Sequence, residues 1–205
     1  TTLDSKKCEQ KTITYAPCVT RPSDPNDIVG PDAYGDERWI KAADPLAYMI
    51  RFENQASATA PAQVVTITQT LDADLDARSF RITGFGFADV QVQPGESRSF
   101  YSGRLDLRET QGIYLDVAAR IDTTTREITW TLTSIDPATG DVPVDSSLGF
   151  LLPNDETGRG DGFVSYTVKP LRNVATGTVI DAQARIVFDS EGPIDTPAIF
   201  HTIDA

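Results

Sequence analysis

The chain has 205 residues, a length that can bury a substantial core and is compatible with one β-rich domain or two small ones. Its 30 Asp and Glu against 18 Lys and Arg give a net charge of -12, which disfavours a nucleic-acid partner because such a surface repels phosphate. The longest apolar stretches, such as Leu148 to Leu152, fall far short of the roughly 20 residues that a membrane helix requires.

Residues 1–23 form a lead-in that contains the only two cysteines, Cys8 and Cys18. We expect a disulfide between them, which would contribute about 2–3 kcal/mol by restricting the unfolded chain. The single histidine and two cysteines cannot complete a zinc site, and two free buried thiols are the alternative. A disulfide indicates an oxidising, extracellular setting. No signal peptide opens the chain, so we expect that it was removed or that this is a piece of something longer.

The short stretch SDPND follows, with three oxygen-bearing side chains, Asp24, Asn26 and Asp27, beside Pro25. Such a cluster is compatible with a metal cradle, with half of an acid/base pair, or with a turn, since Asp, Asn and Pro all favour turns. The residue types alone do not decide among these three interpretations.

Period-two alternation of apolar and polar residues dominates the rest of the chain and predicts half-buried strands. Gly, Pro, Asp and Asn separate these segments, and no segment carries a sustained helical stripe. The predicted strands are Ala47 to Asn54, Ala62 to Leu71, Phe87 to Gln93, Ile113 to Asp122, Glu127 to Asp136, Gly162 to Pro170 and Val179 to Asp189.

Several short strands with regular turns predict an all-β fold, an antiparallel β-sandwich of immunoglobulin-like or related Greek-key type. Because no linker-like change in composition follows Asp24, we expect one module over residues 24–205. A split into two β-subdomains between Pro94 and Arg104 is the alternative. In the first predicted strand, Tyr48, Ile50 and Phe52 share the core face and Arg51 the other, where it pairs across strands or anchors the SDPND stretch.

Calcium is the most concrete ligand hypothesis, because this hard cation takes six to eight oxygen ligands and short acidic turns can supply them. None of the clusters matches an EF-hand, and the alternative for each is turn chemistry on a solvated surface. Asp72, Asp74 and Asp76 would share one face of an extended strand. The predicted metal ligands are Asp24, Asn26, Asp27, Asp72, Asp74, Asp76, Asp155 and Asp161, with Asn154 beside the last two.

Motifs for other chemistry are weak. His201 has no serine or cysteine motif around it, and Gly84 to Phe87 (GFGF) lacks the spacing of a dinucleotide fingerprint, so we interpret it as a strand with close backbone approach. Paired carboxylates for glycoside hydrolysis cannot be chosen from the sequence. We expect most of the aromatic residues to pack in the core rather than to stack on sugars; those considered are Trp39, Tyr48, Tyr101, Tyr114, Trp130 and Tyr166.

Two motifs resemble the ends of a known module. The start, DPND followed by the Tyr-x-Ile-Arg-Phe-x-Asn strand at Tyr48, and the end, with GFVSYTVKP at Gly162 and ARIVFD at Ala184, lie in the expected order. They resemble a β-sandwich module of unknown function that recurs in very large secreted and cell-surface proteins of bacteria. The resemblance covers roughly Asp24 to Ala205, and Ser190 departs from the Asn that the family often has there.

The resemblance implies placement rather than chemistry. Such modules look like spacers or adhesive stalk elements, and no catalytic residue is carried over. We therefore expect a non-catalytic structural or adhesive module of a large extracellular bacterial protein, stabilised by calcium, with neighbouring modules of the same chain and a cell-surface glycan or protein as partners. A carbohydrate-binding module with a row of exposed aromatic rings is the alternative, and an enzymatic accessory domain comes third.

Overall fold

The computed structural model describes residues 26–95 and 97–205. The only helix across these residues is α1 (Arg108–Gln111), and no helix there is long and apolar enough to cross a membrane. The strands, in chain order, are β1 (Asp27–Val29), β2 (Trp39–Lys41), β3 (Leu46–Glu53), β4 (Val64–Thr70), β5 (Leu75–Phe87), β6 (Val90–Val92), β7 (Tyr101–Leu107), β8 (Ile113–Asp122), β9 (Glu127–Ile135), β10 (Asp161–Pro170), β11 (Val179–Ala182), β12 (Arg185–Phe188), β13 (Ile194–Asp195) and β14 (Ile199–Asp204).

Two antiparallel sheets form a sandwich, which confirms the predicted all-β class. The first sheet has the order β1-β3-β10-β5-β6, and the second has the order β13-β12-β4-β9-β8-β7. A small third sheet, β11-β14-β2, contains the one parallel pair in the described residues, in which Thr202 of β14 lies opposite Trp39 of β2.

Alternation along the strands sends one face of each sheet into the core. In β3, Tyr48, Ile50 and Phe52 are buried and Arg51 is exposed, as predicted. The sequence left open which face of β4 turns inward, and the structure buries Val65, Ile67 and Gln69.

Aromatic contacts join the two main sheets. Phe85 of β5 meets Trp130 of β9 with ring centroids 6.0 Å apart, and Phe52 of β3 meets Phe188 of β12 at 6.4 Å. Apart from Ile135, the buried apolar side chains of both sheets belong to one cluster. Burying each large side chain contributes about 1.5–3 kcal/mol, so this shared core is the main force that holds the sheets together.

The predicted strand from Val179 to Asp189 is wrong in one respect, because it is two strands in different sheets. The break falls at Gln183 and Ala184, where the Ala184 amide donates to Thr196 Oγ1 at 3.0 Å. There β11 pairs with β14 in the third sheet, whereas β12 pairs with β4 in the second.

The predicted strand from Phe87 to Gln93 also divides, at a two-residue hairpin turn between β5 and β6. Ala88 in this turn has a φ of 45°, a conformation that fits a tight turn better than a strand. The sequence analysis missed five strands, β1, β2, β7, β13 and β14, and most of the long strand β5.

Candidate functional site

Three of the predicted site residues, Cys8, Cys18 and Asp24, lie outside the described residues. The disulfide therefore stays a prediction, as does any role of Asp24. The other predicted ligands lie on two separate parts of the first sheet and its loops.

One part is the end of the first sheet where β1 begins. Arg51 Nε donates to Asp27 Oδ1 at 2.7 Å, and its terminal nitrogen bonds the second carboxylate oxygen. The Arg51 side chain is 48% exposed, so the pair is cross-strand and partly solvated, yet it also anchors the end of the SDPND stretch. The hydrogen bond to Asp27 raises the pKa of the Arg51 guanidinium. Next to this pair, the buried Asn26 side chain accepts from the Glu53 amide at 3.3 Å.

The loop before β10 reaches the same place through Asn154. Its amide nitrogen donates to Glu53 Oε1 at 2.6 Å and to Asp161 Oδ1 at 2.9 Å. Its amide oxygen accepts from the Asp155 amide at 2.9 Å and the Gly160 amide at 3.0 Å. Asn154 therefore uses both ends of its side chain to hold the loop and to separate two carboxylates. We call Asn26, Asp27, Glu53, Asn154 and Asp161 the acidic end of the first sheet.

Strand register explains why two clusters so far apart in sequence meet. Asp27 pairs with Arg51 on one side of β3, and Asp161 pairs with Glu53 on the other. Glu53 was not among the predicted ligands, and the only signal for it was its position at the end of a strongly alternating strand. Asp155 instead closes its own turn: its carboxylate accepts from the Thr157 hydroxyl at 2.5 Å and from the Thr157 amide at 2.9 Å, and these two hydrogen bonds lower its pKa.

The second part is the turn between β4 and β5, where the predicted strand face of Asp72, Asp74 and Asp76 is wrong. Asp72 and Asp74 lie in a turn, and Asp72 Oδ1 accepts from the Asp74 amide at 2.9 Å. Only Asp76 lies in a strand, where it accepts from the Arg78 amide at 3.0 Å. Asp and Asn side chains commonly hydrogen-bond the backbone two residues on, so local turn formation accounts for this geometry.

Metal-ligand geometry is absent from the described part of the chain: no group of three or more His, Cys, Asp or Glu there could hold an ion. The acidic end offers the carboxylates of Glu53 and Asp161, with an amide nitrogen between them. Calcium binding therefore stays a prediction.

Wherever this structure shifts the pKa of a carboxyl group, the pKa is lowered. These carboxylates therefore stay ionised near neutral pH. The hydrogen bond from Arg108 lowers the pKa of Asp106 to about 2, and the hydrogen bond from Arg185 lowers the pKa of Asp195. A general acid requires the opposite shift, because it must hold its proton near neutral pH.

His201 is fully buried, and its Nε2 lies 3.1 Å from the Pro31 carbonyl oxygen and 3.3 Å from an Arg38 nitrogen. Burial first, and then the Arg38 charge, lower the His201 pKa. Its ring meets the Tyr48 ring edge-on, with centroids 6.2 Å apart. This environment favours a neutral, structural histidine.

Most of the aromatic side chains pack as predicted. Tyr48, Trp130 and Tyr166 are buried, and the others that the sequence analysis considered are half-buried. Tyr114 lies beneath two guanidinium groups, those of Arg104 and Arg108, at 5.2 and 4.9 Å from the ring centroid. A sugar-stacking row of exposed Trp or Tyr rings is not formed by these side chains.

Solved structures similar to this chain include three from bacterial pilins and adhesins. They are domains D2 and D3 of the major pilin SpaD from Corynebacterium diphtheriae (17% identity, TM-score 0.48, 85% of this chain and 51% of that one), the collagen-binding domain of a Staphylococcus aureus adhesin (13%, 0.42, 90% and 100%) and BcpA, the major pilin subunit of Bacillus cereus (12%, 0.43, 87% and 39%). This chain spans about half the length of the SpaD fragment. All three TM-scores lie below 0.5, and no ligand or role is carried over from these proteins.

No curated protein matches this sequence significantly. A family model, described as Domain of unknown function (DUF7619), matches residues 24–99 and 148–202, which is more than half of the chain. Both stretches carry the motifs that suggested a module of unknown function, and the start of the match coincides with the DPND motif. The chain therefore belongs to the family described as Domain of unknown function (DUF7619).

Proposed function

We propose that this chain is a non-catalytic structural module that transmits load within a large extracellular bacterial protein. The observation that carries the proposal is the parallel pairing of β2, near one end of the described chain, with β14 at the other end. Thr202, Ile203 and Asp204 lie opposite Trp39, Ile40 and Lys41. Strands that are parallel and are pulled from opposite ends are loaded in shear, so their hydrogen bonds resist together rather than opening one by one.

Contacts beside this pair extend the connection between the two ends. Arg38 Nε donates to the Phe200 carbonyl at 2.9 Å, and Thr202 Oγ1 donates to the Glu37 carbonyl at 2.6 Å. The Ala42 amide donates to the Asp204 carbonyl at 3.0 Å. We call residues 37–42 and 200–204 the terminal clamp.

Two threonines provide a matched test of the terminal clamp. Thr202 lies in it, whereas Thr196 lies outside it, and each is buried with a side-chain hydrogen bond to the backbone. Thr202→Val and Thr196→Val should each lower the free energy of unfolding by about 1–2 kcal/mol. If the clamp bears load, only Thr202→Val lowers the unfolding force of tandem copies in single-molecule pulling. Equal losses of force in the two variants would contradict the proposal.

Stabilisation by calcium at the acidic end is a second, separable part of the proposal. Glu53 and Asp161 supply carboxylate oxygens there, and an ion would have to displace the Asn154 amide nitrogen that now bonds both. Asn154→Asp replaces that donor with a further oxygen ligand, so the variant should be less stable than the wild type in chelator and gain more from calcium.

The measurement is the thermal midpoint in calcium and in chelator for both proteins, because an ion that binds only the folded state raises stability by RT ln(1 + [L]/Kd). Asn173→Asp is the control, since Asn173 is exposed and outside the acidic end. If calcium shifts the thermal midpoint of neither the wild type nor Asn154→Asp, the calcium part of the proposal is refuted. The load-bearing part is unaffected by that result.

A further inference from the structure

A cleft of about 550 Å³ lies where the second sheet meets the third. Its walls come from the ends of β4 and β9, from β11 and from the β12–β13 pair, with Gln69, Asp72, Glu127, Asp181, Arg185 and Asp195 among the lining residues. This volume falls within the range of small-ligand sites, about 300–1,000 Å³.

The charge of this cleft is strongly negative. Of its four carboxylates, Asp195 is held by Arg185 in a two-bond ion pair at 2.7 and 2.9 Å, which leaves no free cation among these residues. Asp72 accepts from the Asp74 amide at 2.9 Å and from the Asp181 amide at 3.1 Å. Glu127 and Asp181 have exposed side chains that form no hydrogen bond or ion pair with other described residues. The cleft therefore repels anions and offers acceptors to a ligand with donors.

The floor of the cleft contains a polar group whose hydrogen bonding is incomplete. Gln69 is only 4% exposed, and its Oε1 accepts from the buried Tyr166 hydroxyl at 2.7 Å. Its amide nitrogen has no hydrogen-bond partner among the described residues, although the side chain lines the cleft. This nitrogen is not one of the fully buried unpartnered atoms, so water can reach it, and a ligand oxygen placed there would replace that water.

The arrangement of the acceptors does not favour a metal ion as the ligand. Among the described residues, no three of these carboxylates form a group that could hold a metal ion. Separate acceptors suit a ligand with donors distributed over a rigid frame. Hydroxyl groups donate to carboxylates and also accept from an amide N–H, which no ammonium group can do.

We propose that this cleft binds an amino sugar, whose hydroxyl groups meet Gln69 and the carboxylates while its ammonium group balances the negative charge. Glu127 and Asp181 are the acceptors at the mouth, and Gln69 is the donor at the floor. This site needs no exposed aromatic ring, and it is independent of the load-bearing role proposed above.

The test is a titration of the whole chain with a trimer of glucosamine, followed by calorimetry or ligand-observed NMR. We expect binding that weakens with added salt, because charge attraction at an exposed cleft is screened. The trimer of N-acetylglucosamine, which lacks the ammonium groups, is expected to bind more weakly. Equal binding of the two trimers would overturn the role of the ammonium group.

Charge-matched double variants locate the site. Glu127→Gln with Asp181→Asn should weaken binding by at least about tenfold, because charge-assisted hydrogen bonds to the ligand are lost. Glu109→Gln with Asp141→Asn changes the net charge equally at exposed positions outside the cleft, and binding should be nearly unchanged. Because all four side chains are exposed, both double variants are expected to fold, which thermal unfolding checks.

Three results would overturn the proposal. They are the absence of binding, an equal loss of affinity in the two double variants, and tighter binding of a tri-lysine peptide than of the glucosamine trimer. The last result would assign the cleft to a basic peptide segment instead of a sugar.

Discussion

His201, the only histidine of the chain, is buried, and none of the described carboxylates contributes to its pKa. Its Nδ1 has no hydrogen-bond partner in the described structure, and an Arg38 guanidinium nitrogen lies 3.3 Å from its Nε2. A Cβ on Gly30 would collide with this ring, so the backbone of residue 30 packs directly against the imidazole. The site is built for a neutral ring.

This environment predicts that the protein loses stability as the pH falls from about 7.5 to 5.5. The unfolded chain takes up a proton on His201 near its ordinary pKa of about 6.5, whereas the folded chain takes it up only at lower pH. The stability is therefore fully present above the unfolded pKa and is lost as the pH falls toward the folded pKa. Urea unfolding at several pH values measures the slope.

His201→Gln removes the titrating group and retains an amide N–H that can donate to the Pro31 carbonyl. We expect this variant to be less stable at pH 7.5 and to show a flatter pH dependence down to 5.5. A slope equal to that of the wild type would mean that other groups cause the pH dependence. The window stops at 5.5 because the carboxylates with lowered pKa begin to contribute below it.

Which of the predicted site residues lie together depends on which strands pair, and the sequence does not show the pairing. The acidic turns around Asp27 and Asp161 were visible as clusters, but only the pairing of β3 with both β1 and β10 brings them together. Gln69 was visible only as a polar residue in an apolar strand, and its bond to Tyr166 needs a contact between the two sheets. Composition and spacing carry no information about such contacts.

Glycines on the strands of the first sheet allow aromatic rings to lie across neighbouring backbones. A Cβ built on Gly86 would come within 2.6 Å of both the Phe163 ring and the Val90 carbonyl oxygen. A Cβ on Gly162 would collide with the ring of Phe52, its partner in the strand register. The interpretation of GFGF as a strand with close backbone approach is confirmed, and the same device occurs in β10.

Gly162→Ala is expected to destabilise the protein by about 1–3 kcal/mol, because the added methyl group overpacks a well-filled core. Gly192→Ala serves as the control, since no atom lies within 4 Å of a Cβ there and its backbone conformation is ordinary. Chemical unfolding of both variants measures the difference in free energy. A Gly162 variant as stable as the Gly192 variant would show that the Phe52 ring can move aside at little cost.

Element boundaries were predictable where alternation starts or stops, and not where the chain changes sheets. The sequence predicted β8 with its exact ends and β3, β9 and β10 within a residue. From Ile180 to Phe188 every second residue is buried, even though β11 and β12 belong to different sheets. Alternation reports which face is buried and not which strand supplies the hydrogen bonds, so the break at Gln183 left no signal.

Edge strands leave a weaker pattern for a related reason. In β7 the inward residues are Tyr101, Gly103, Leu105 and Leu107, and all of them are only half-buried. An edge strand has a neighbour on one side only, so its inner face needs fewer apolar residues than that of a central strand. The strand was missed because Gly, Arg and Asp interrupt its apolar residues.

At the scale of the whole molecule, the family match leaves out residues 100–147, which contain β7, α1, β8 and β9. This stretch is not a separate addition to the fold. Its strand β9 lies between β4 and β8, and Trp130 on β9 is fully buried and pairs in register with Ile67. A chain without these residues would expose one edge of β4 and a large part of the core, so the stretch belongs to the same sandwich.

The proposal of one module from residue 24 to the end is supported by how the two halves of the sequence interleave. The alternative split between Pro94 and Arg104 would separate β3 from its neighbour β10 and β4 from its neighbour β9. A split anywhere in this range would therefore divide two antiparallel strand pairs and the single apolar cluster. Two halves joined in this way should not unfold independently.

We therefore predict one cooperative unfolding transition, which can be measured with one probe in the second half of the sequence and a second probe that reports both halves. Trp39→Phe leaves Trp130, in the second half, as the only tryptophan. Its fluorescence should change at the same urea concentration as the far-ultraviolet circular dichroism, which reports the strands of both halves. Two subdomains would instead separate the curves, because the dichroism would show a second step that the fluorescence of Trp130 does not follow. Coincident curves in Trp39→Phe, with a midpoint close to that of the wild type, are the expected result.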